Sequence, residues 1–211
     1  MKNILFVILF LAGNLAIAQN IRIITYNIRY NNQGDGVNAW PNRSKDVAAL
    51  LDFHKADIFG LQEALIGQIE DIQTQLPNLK CVGVGRDDGK KAGEYSPLFY
   101  NSKKFKALKS GWFWLSQTPE KPGLGWDAAC NRVCTWLLLE TDKKDRQFMV
   151  FNTHFDHIGV KARTESAKLI LQKIKELNSS KLPVILTGDF NLTPEQEPIA
   201  VITKELYDSR S

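Results

Sequence analysis

The order of elements along the chain predicts an α/β protein built as a layered sandwich. Short β-branched or aromatic runs alternate with amphipathic helical stretches near both ends, and a long succession of strands fills the middle. The helical stretches flank mostly apolar strands, the pattern of helices covering sheets. The 211 residues are 44% apolar and 24% charged, which suits one sizeable folded domain. No linker, repeat or low-complexity tract divides them.

Taken in order, "IRIITYNI" is short and β-branched and predicts the first strand. "NRSKDVAALLDFHKA" places Val47, Leu50, Leu51 and His54 at helical spacing. "DIFGLQEA" is a short apolar run, a buried strand. "LIGQIEDIQTQL" sets Leu65, Ile69, Ile72 and Leu76 on one helical face. The middle reads as five strands in "KCVGVGR", "YSPLFYN", "FKALKSGWFWLS", "RVCTWLLLE" and "RQFMVFNTHF", parted by Gly, Pro, Asn and charged turns; "RDDGKKAGE" is a solvated loop among them. "VKARTESAKLILQKIKEL" predicts a long helix with Ala167, Ile170, Leu171 and Ile174 facing inward. "LPVILTGDF" is again a buried strand. Thr193-Pro194-Glu195-Gln196 then looks like a helix cap with Pro in the first turn.

The N-terminus stands apart. "MKNILFVILFLAGNLAIAQN" has a Lys, an apolar run from Ile4 to Ala12 and the small-x-small triplet Ala16-Ile17-Ala18. This predicts a secretory leader over residues 1–18, cleaved after Ala18, with the domain from residue 19 to 211 and an exported product, periplasmic or extracellular. An uncleaved anchor or a buried strand is the alternative, but the run is shorter than the roughly 20 residues a spanning helix needs. Stable membrane insertion is therefore not expected, and the chain is expected to be monomeric. The net charge of +4 is too small to demand a polyanionic partner. Cys81, Cys130 and Cys134 make an odd set with no complete disulfide framework and read as reduced packing residues.

Polar residues stand at four strand ends where a core strand has no need of them: Asn27, Glu63, His154, and Asp189 with Asn191. Each has a plainer role open to it, as a turn residue, helix-start residue or satisfied core histidine. Together they make a set of carboxylates, amides and an imidazole, without thiol or activated serine. That set suits hydrolysis assisted by a hard cation. Glu63 offers a carboxylate to Mg²⁺. Asp189 and Asn191, two apart in extended chain, share one face. His154, as imidazolium, can donate to charge developing on phosphorus. Trp112, Trp114 and Trp126 read as packing residues before they read as cleft walls. Asp156 and His157 divide evenly between support and substrate contact.

"TYNIR", "LQE", "GEYSPLFYN", "NTHFDH" and "GDFN" together resemble, in order and spacing, the endonuclease/exonuclease/phosphatase superfamily of deoxyribonuclease I-like enzymes. The tract "GWFWLSQTPEKPGLGWDAACNRVCTW" resembles a secreted bacterial subgroup. The resemblance implies a four-layered α/β sandwich of two packed sheets with outer helices. It implies Mg²⁺-dependent phosphoester hydrolysis by in-line water attack, with Mn²⁺ as the alternative ion and a nucleic acid, lipid headgroup or small phosphoester as substrate. It makes Glu63 a metal ligand, Asn27 a residue at metal-bound water or phosphate, His154 the transition-state stabiliser, Asp189 the acid that orients the nucleophile and Asn191 the amide that binds phosphate. Glu94 stands where the deoxyribonuclease branch pairs a Glu with that His. Arg29 replaces an Asp ligand of the apurinic-site branch and is a candidate phosphate grip.

The family pattern closes with an Asp-His strand, and nothing after Asn191 matches it. The sequence is therefore expected to be incomplete at its C-terminal side, a piece of a longer product. The alternative is a shortened, catalytically impaired member that binds phosphoryl ligands.

Overall fold

The structure is a computed structural model that describes residues 20–142 and 146–209. The leader expected over residues 1–18 lies outside the described residues.

Two four-stranded sheets pack face to face. The first holds β1 (Ile23–Asn27), β2 (Ile58–Gln62), β3 (Leu79–Val82) and β4 (Leu98–Asn101), in the spatial order β1-β2-β4-β3. The second holds β5 (Phe105–Trp114), β6 (Val133–Thr141), β7 (Gln147–His154) and β8 (Val184–Asp189), in sequential order. Helices α1 (Trp40–Phe53) and α2 (Ile66–Gln75) cover the first sheet; α3 (Val160–Leu177) and α4 (Glu197–Thr203) cover the second. The expected four layers are present.

Three larger apolar clusters among the described residues hold these layers, beside a small one of Val84, Trp114 and Val133. Phe59, Leu61 and Phe99 meet Val47, Leu51, Ile69 and Ile72 beneath the first helices. Phe151, Phe155 and Met149 meet Ala167, Ile170 and Ile174 beneath α3. Ile58, Leu98, Phe105, Leu137, Leu139 and Val150 fill the space between the sheets. Because β2 and β7 are covered on both faces, residues 58–61 and 148–151 read as apolar runs rather than alternating ones.

β1 runs parallel to β2, and β7 parallel to β8. Their carboxyl ends therefore lie together. Asn27 is in register with Gln62, the residue before Glu63, and His154 with Asp189. β1 and β8 are edge strands, and an open groove of about 980 Å³ runs along them, walled by Ile23, Ile185, Ile202 and Leu206 and ending at Asn27 and Asp189. This is why β8 is only half buried where β7 is fully so.

Several local expectations change. α1 starts at Trp40, with Pro41 in its first turn, and buries Trp40, Val47, Ala48 and Leu51. Leu50 is 43% exposed, because a helix stripe centred on Val47 and Leu51 turns it outward, and His54 closes the helix instead of facing the core. Thr193–Gln196 is a separate turn in which Thr193 N donates to Gln196 Oε1 at 2.8 Å. The helix proper begins after it, with Gln196 at the cap and Pro198 in the first turn.

Candidate active site

Asn27, Glu63, His154, Asp189 and Asn191 stand at or just after strand ends on the shared carboxyl edge of the sandwich, the usual place for clefts in open α/β sheets. Three sequence-predicted residues leave ordinary strand geometry. Arg29, Glu63 and Asn191 have φ of 59, 61 and 50 degrees. Asn tolerates the left-handed region; Arg and Glu adopt it at a cost of about 1 kcal/mol or more, so the surroundings hold them there.

Asn27 is the hub. Its Nδ2 donates to Glu63 Oε1 at 2.8 Å and to Asp189 Oδ2 at 2.9 Å, joining the first sheet to the second. Its Oδ1 accepts from Arg29 N, and Glu63 Oε2 accepts from Tyr30 N. Asp189 Oδ1 accepts from Asn191 N at 3.0 Å, which folds "GDFN" back on itself. Asn191 Nδ2 lies 3.0 Å from His154 Nε2 and donates also to Phe155 O. The site thus brings together Asn27, Glu63, His154, Asp189 and Asn191.

A buried polar floor supports these residues, and sequence reading missed it. Asn152 donates to Leu61 O and Pro97 O, while its Oδ1 accepts from Gln62 Nε2 and Thr187 Oγ1. The bonds tie β2, β7 and β8 into one block. Asn152 lies two residues before His154 on the same strand face, and that spacing was the available signal. Gly60 makes room for it: a Cβ there would stand 2.3 Å from Asn152 Oδ1.

The charges correct two expectations. Burial, then the Arg132 charge, lowers the His154 pKa to about 4 against the opposing pull of Asp189 and Glu63. At neutral pH His154 is therefore a neutral ring and not an imidazolium, and its Nε2 accepts from Asn191. Burial works against ionisation of Asp189, but donation from Asn27 and Asn191 outweighs it and keeps the carboxylate below its ordinary value. Glu94 does not pair with His154. It forms a two-point pair with Arg86 at 2.8 and 3.2 Å, because both lie across the base of the Arg86–Glu94 loop, where Arg86 N also bonds Glu94 O. Burial raises the Glu94 pKa, partly countered by Arg86.

Arg29, the candidate phosphate grip, spends its guanidinium on Asp35 at 3.1 and 3.2 Å and stacks on Tyr30. Its Nη1 comes only to 4.0 Å from Glu63 Oε2. Its backbone oxygen binds Gln68 and Arg43, so Arg29 organises the loop after β1.

Asp156 is fully engaged. Its Oδ1 accepts from Ile158 N and Gly159 N, and its Oδ2 from Ala129 N, Arg132 Nε and Cys130 Sγ. Arg132 Nη2 donates to His157 Nδ1 at 3.0 Å. Cys130, Asp156 and His157 have clustered ligand atoms, yet these bonds already use them, and the cluster is a loop anchor. Trp114 is buried and donates to Arg86 O, as a packing residue should. The three cysteines form no disulfide.

The oxygen donors of Glu63, Asp189 and Asn27 fit a hard divalent cation better than a soft one. Two carboxylates converge here on one amide group, an excess of negative charge that such an ion would balance.

Comparison with known proteins decides the lineage. The profile of the Endonuclease/Exonuclease/phosphatase family matches residues 24–209. The chain belongs to this family. Its members hydrolyse phosphoester bonds and are generally divalent-metal dependent. A mannosyl-6-phosphatase, Bt3783 of Bacteroides thetaiotaomicron, is 41% identical with a TM-score of 0.86, over 88% of this chain and 71% of that one. An endonuclease/exonuclease/phosphatase of Bacteroides vulgatus is 44% identical with a TM-score of 0.85, over 88% and 71%. Probable RNA exonuclease NGL3 of Saccharomyces cerevisiae is 32% identical over 78% of this chain and 34% of its own length. The family's two-sheet sandwich is thus shared, and the chain spans about a third of the yeast relative.

Proposed function

We propose that this family member is exported and uses Mg²⁺ to hydrolyse small phosphoesters in the cleft of Asn27, Glu63, His154, Asp189 and Asn191. The observation that carries the reading is the joining of Glu63 and Asp189 through Asn27, with His154 and Asn191 alongside. Glu63 and Asn27 would hold the cation, which supplies Lewis-acid charge at a phosphoryl oxygen when bound. Asp189, ionised at neutral pH, is placed to orient a water and take its proton. Asn191 Nδ2 now bonds neutral His154; an incoming phosphoryl oxygen would take that donor. Export rests on the leader pattern of residues 1–18.

The 41% identical mannosyl-6-phosphatase supports a small phosphoester as substrate. The RNA exonuclease relative favours a second reading, a nuclease. Hydrolysis of phosphomonoesters, phosphodiesters and single-stranded RNA and DNA with Mg²⁺ or Mn²⁺ tests both. Turnover abolished by a chelator supports the proposal, and steep loss of affinity with added salt picks out the nuclease. No turnover of any class with either ion overturns it.

A further inference from the structure

The polar floor beneath the cleft has a regular build. Thr25, Asn152 and Thr187 each stand two residues before Asn27, His154 and Asp189, on β1, β7 and β8. In extended chain that spacing puts both members of a pair on one strand face, so a row of polar side chains underlies the row at the cleft. β2 departs from this pattern. Its polar residue, Gln62, comes immediately before Glu63. Successive residues of a strand face opposite ways. Yet Gln62 bonds Thr25 and Glu63 bonds Asn27, which share one face of β1. Both reach that face because the backbone leaves the strand at Glu63, where φ is 61 degrees.

That turn is anchored on both sides. Before it, Gln62 is 1% exposed, and its Nε2 donates to Asn152 Oδ1 at 2.8 Å and to Thr25 Oγ1 at 3.1 Å. Its backbone oxygen accepts from Ile28 N at 3.2 Å. After it, Ala64 is fully buried and its oxygen accepts from Tyr95 N at 2.8 Å. A residue other than glycine keeps a left-handed backbone only where its surroundings fix it. The side chain of Gln62 is the part of this anchor that reaches across to the second sheet.

Resting on the proposed phosphoester reading, we infer that Gln62 is a positioning residue that sets the affinity for the cation. Its Nε2 bonds fix the turn at Glu63 and so keep the Glu63 carboxylate placed for Mg²⁺. Losing a group that orients a metal ligand costs about 10–100-fold in metal affinity or activity. A residue that merely joined the sheets would change stability and leave the cation affinity of the folded protein alone.

The test is calorimetric titration with Mg²⁺ of the unaltered protein, Gln62→Met, Glu63→Gln and the double variant, each with a thermal unfolding curve, alongside the Mg²⁺ dependence of phosphoester hydrolysis. Gln62→Met keeps the side-chain length and removes the donor. Folded Gln62→Met should bind Mg²⁺ about tenfold or more weakly, and excess Mg²⁺ should restore most of its hydrolysis rate. Adding Gln62→Met to Glu63→Gln should weaken binding no further, because Gln62 acts through Glu63. A folded Gln62→Met with unchanged Mg²⁺ affinity, or with the same loss in the Glu63→Gln background, overturns the inference and leaves the hydrolase reading in place. Mg²⁺ binding without turnover of any phosphoester removes the hydrolase reading, and the affinities still decide the role of Gln62. An unaltered protein that binds no Mg²⁺ removes both. If Gln62→Met does not fold, Thr25→Val and Thr25→Ser decide, since Thr25 is exposed on an edge strand. Mg²⁺ affinity about threefold weaker in Thr25→Val and unchanged in Thr25→Ser supports the inference, and equal affinities overturn it.

Discussion

Asn27 Nδ2 lies 2.9 Å from Asp189 Oδ2, a bond between residues 162 positions apart that ties the two sheets together at their shared carboxyl edge. The same nitrogen binds Glu63 Oε1 at 2.8 Å. One amide thus keeps two carboxylates at a fixed spacing. Asn27→Ala should let them separate. Hydrolysis should fall by about 100-fold or more, on the scale of losing a preorganised donor. The melting temperature should move little, because the pair is partly exposed. Steady-state rates with a parallel melting curve check this.

Asp156 should matter for stability more than for chemistry. It is 1% exposed and accepts from three backbone N–H groups and Arg132. Burial alone would raise its pKa, but the donations from Gly159, Ile158 and Ala129 and the Arg132 charge outweigh it and hold the carboxyl far below its ordinary value. A depressed folded pKa means stability that is present above the unfolded value, about 4, and is lost as pH falls toward the folded one. Asp156→Asn should therefore cost about 2 kcal/mol or more near pH 7, on the scale of charged hydrogen bonds. The difference from the unaltered protein should shrink below pH 4. Denaturant unfolding at both pH values measures it.

Gly60 and Asn152 set the spacing between the sheets. Gly60→Ala would place a methyl carbon 2.3 Å from Asn152 Oδ1 and 2.7 Å from Thr187 Oγ1. It should destabilise by about 1–3 kcal/mol, as overpacking does. Asn152→Ala in the same chain should recover part of that loss, though it leaves Leu61 O and Pro97 O unpaired. A double-mutant cycle of unfolding free energies reads the coupling.

His154 should stay neutral through the physiological range. Its folded pKa of about 4 lies below the ordinary value, mainly through burial. The folded protein therefore resists protonation that the unfolded chain accepts, so stability falls as pH drops below about 6.5. Replacing His154 with Asn should flatten that acid-side fall. Imidazole NMR shifts followed from pH 8 to 4 check the protonation directly.

The candidate site was partly legible in the sequence because its residues interrupt apolar strands. Asn27, Glu63, His154 and Asp189 each end such a run, and parallel pairing of β1 with β2 and β7 with β8 brings those ends together. The layered fold followed from the order of elements in the same way. Contacts decided by loop geometry were not legible. Glu94 lies 8 positions from Arg86, and the closure of their loop pairs them and takes Glu94 from His154. Arg29 looked free because Asp35 reaches it only through the turn after β1. The low pKa of His154 depends mainly on burial, and strand patterning does not display it. Thr193-Pro194 resembled a helix start because a turn and a helix cap use the same residues.

The central claim is that Glu63 and Asp189 are the working carboxylates of a phosphoester-hydrolysing cleft. Its most direct test is the Mg²⁺-dependent rate of phosphoester hydrolysis by the protein, by Glu63→Gln and by Asp189→Asn, with each variant shown to be folded. Both variants should lose about 100-fold or more in kcat/KM, and excess Mg²⁺ should restore part of the Glu63→Gln rate but none of the Asp189→Asn rate. Folded variants that hydrolyse the same substrate at the unaltered rate would contradict the account.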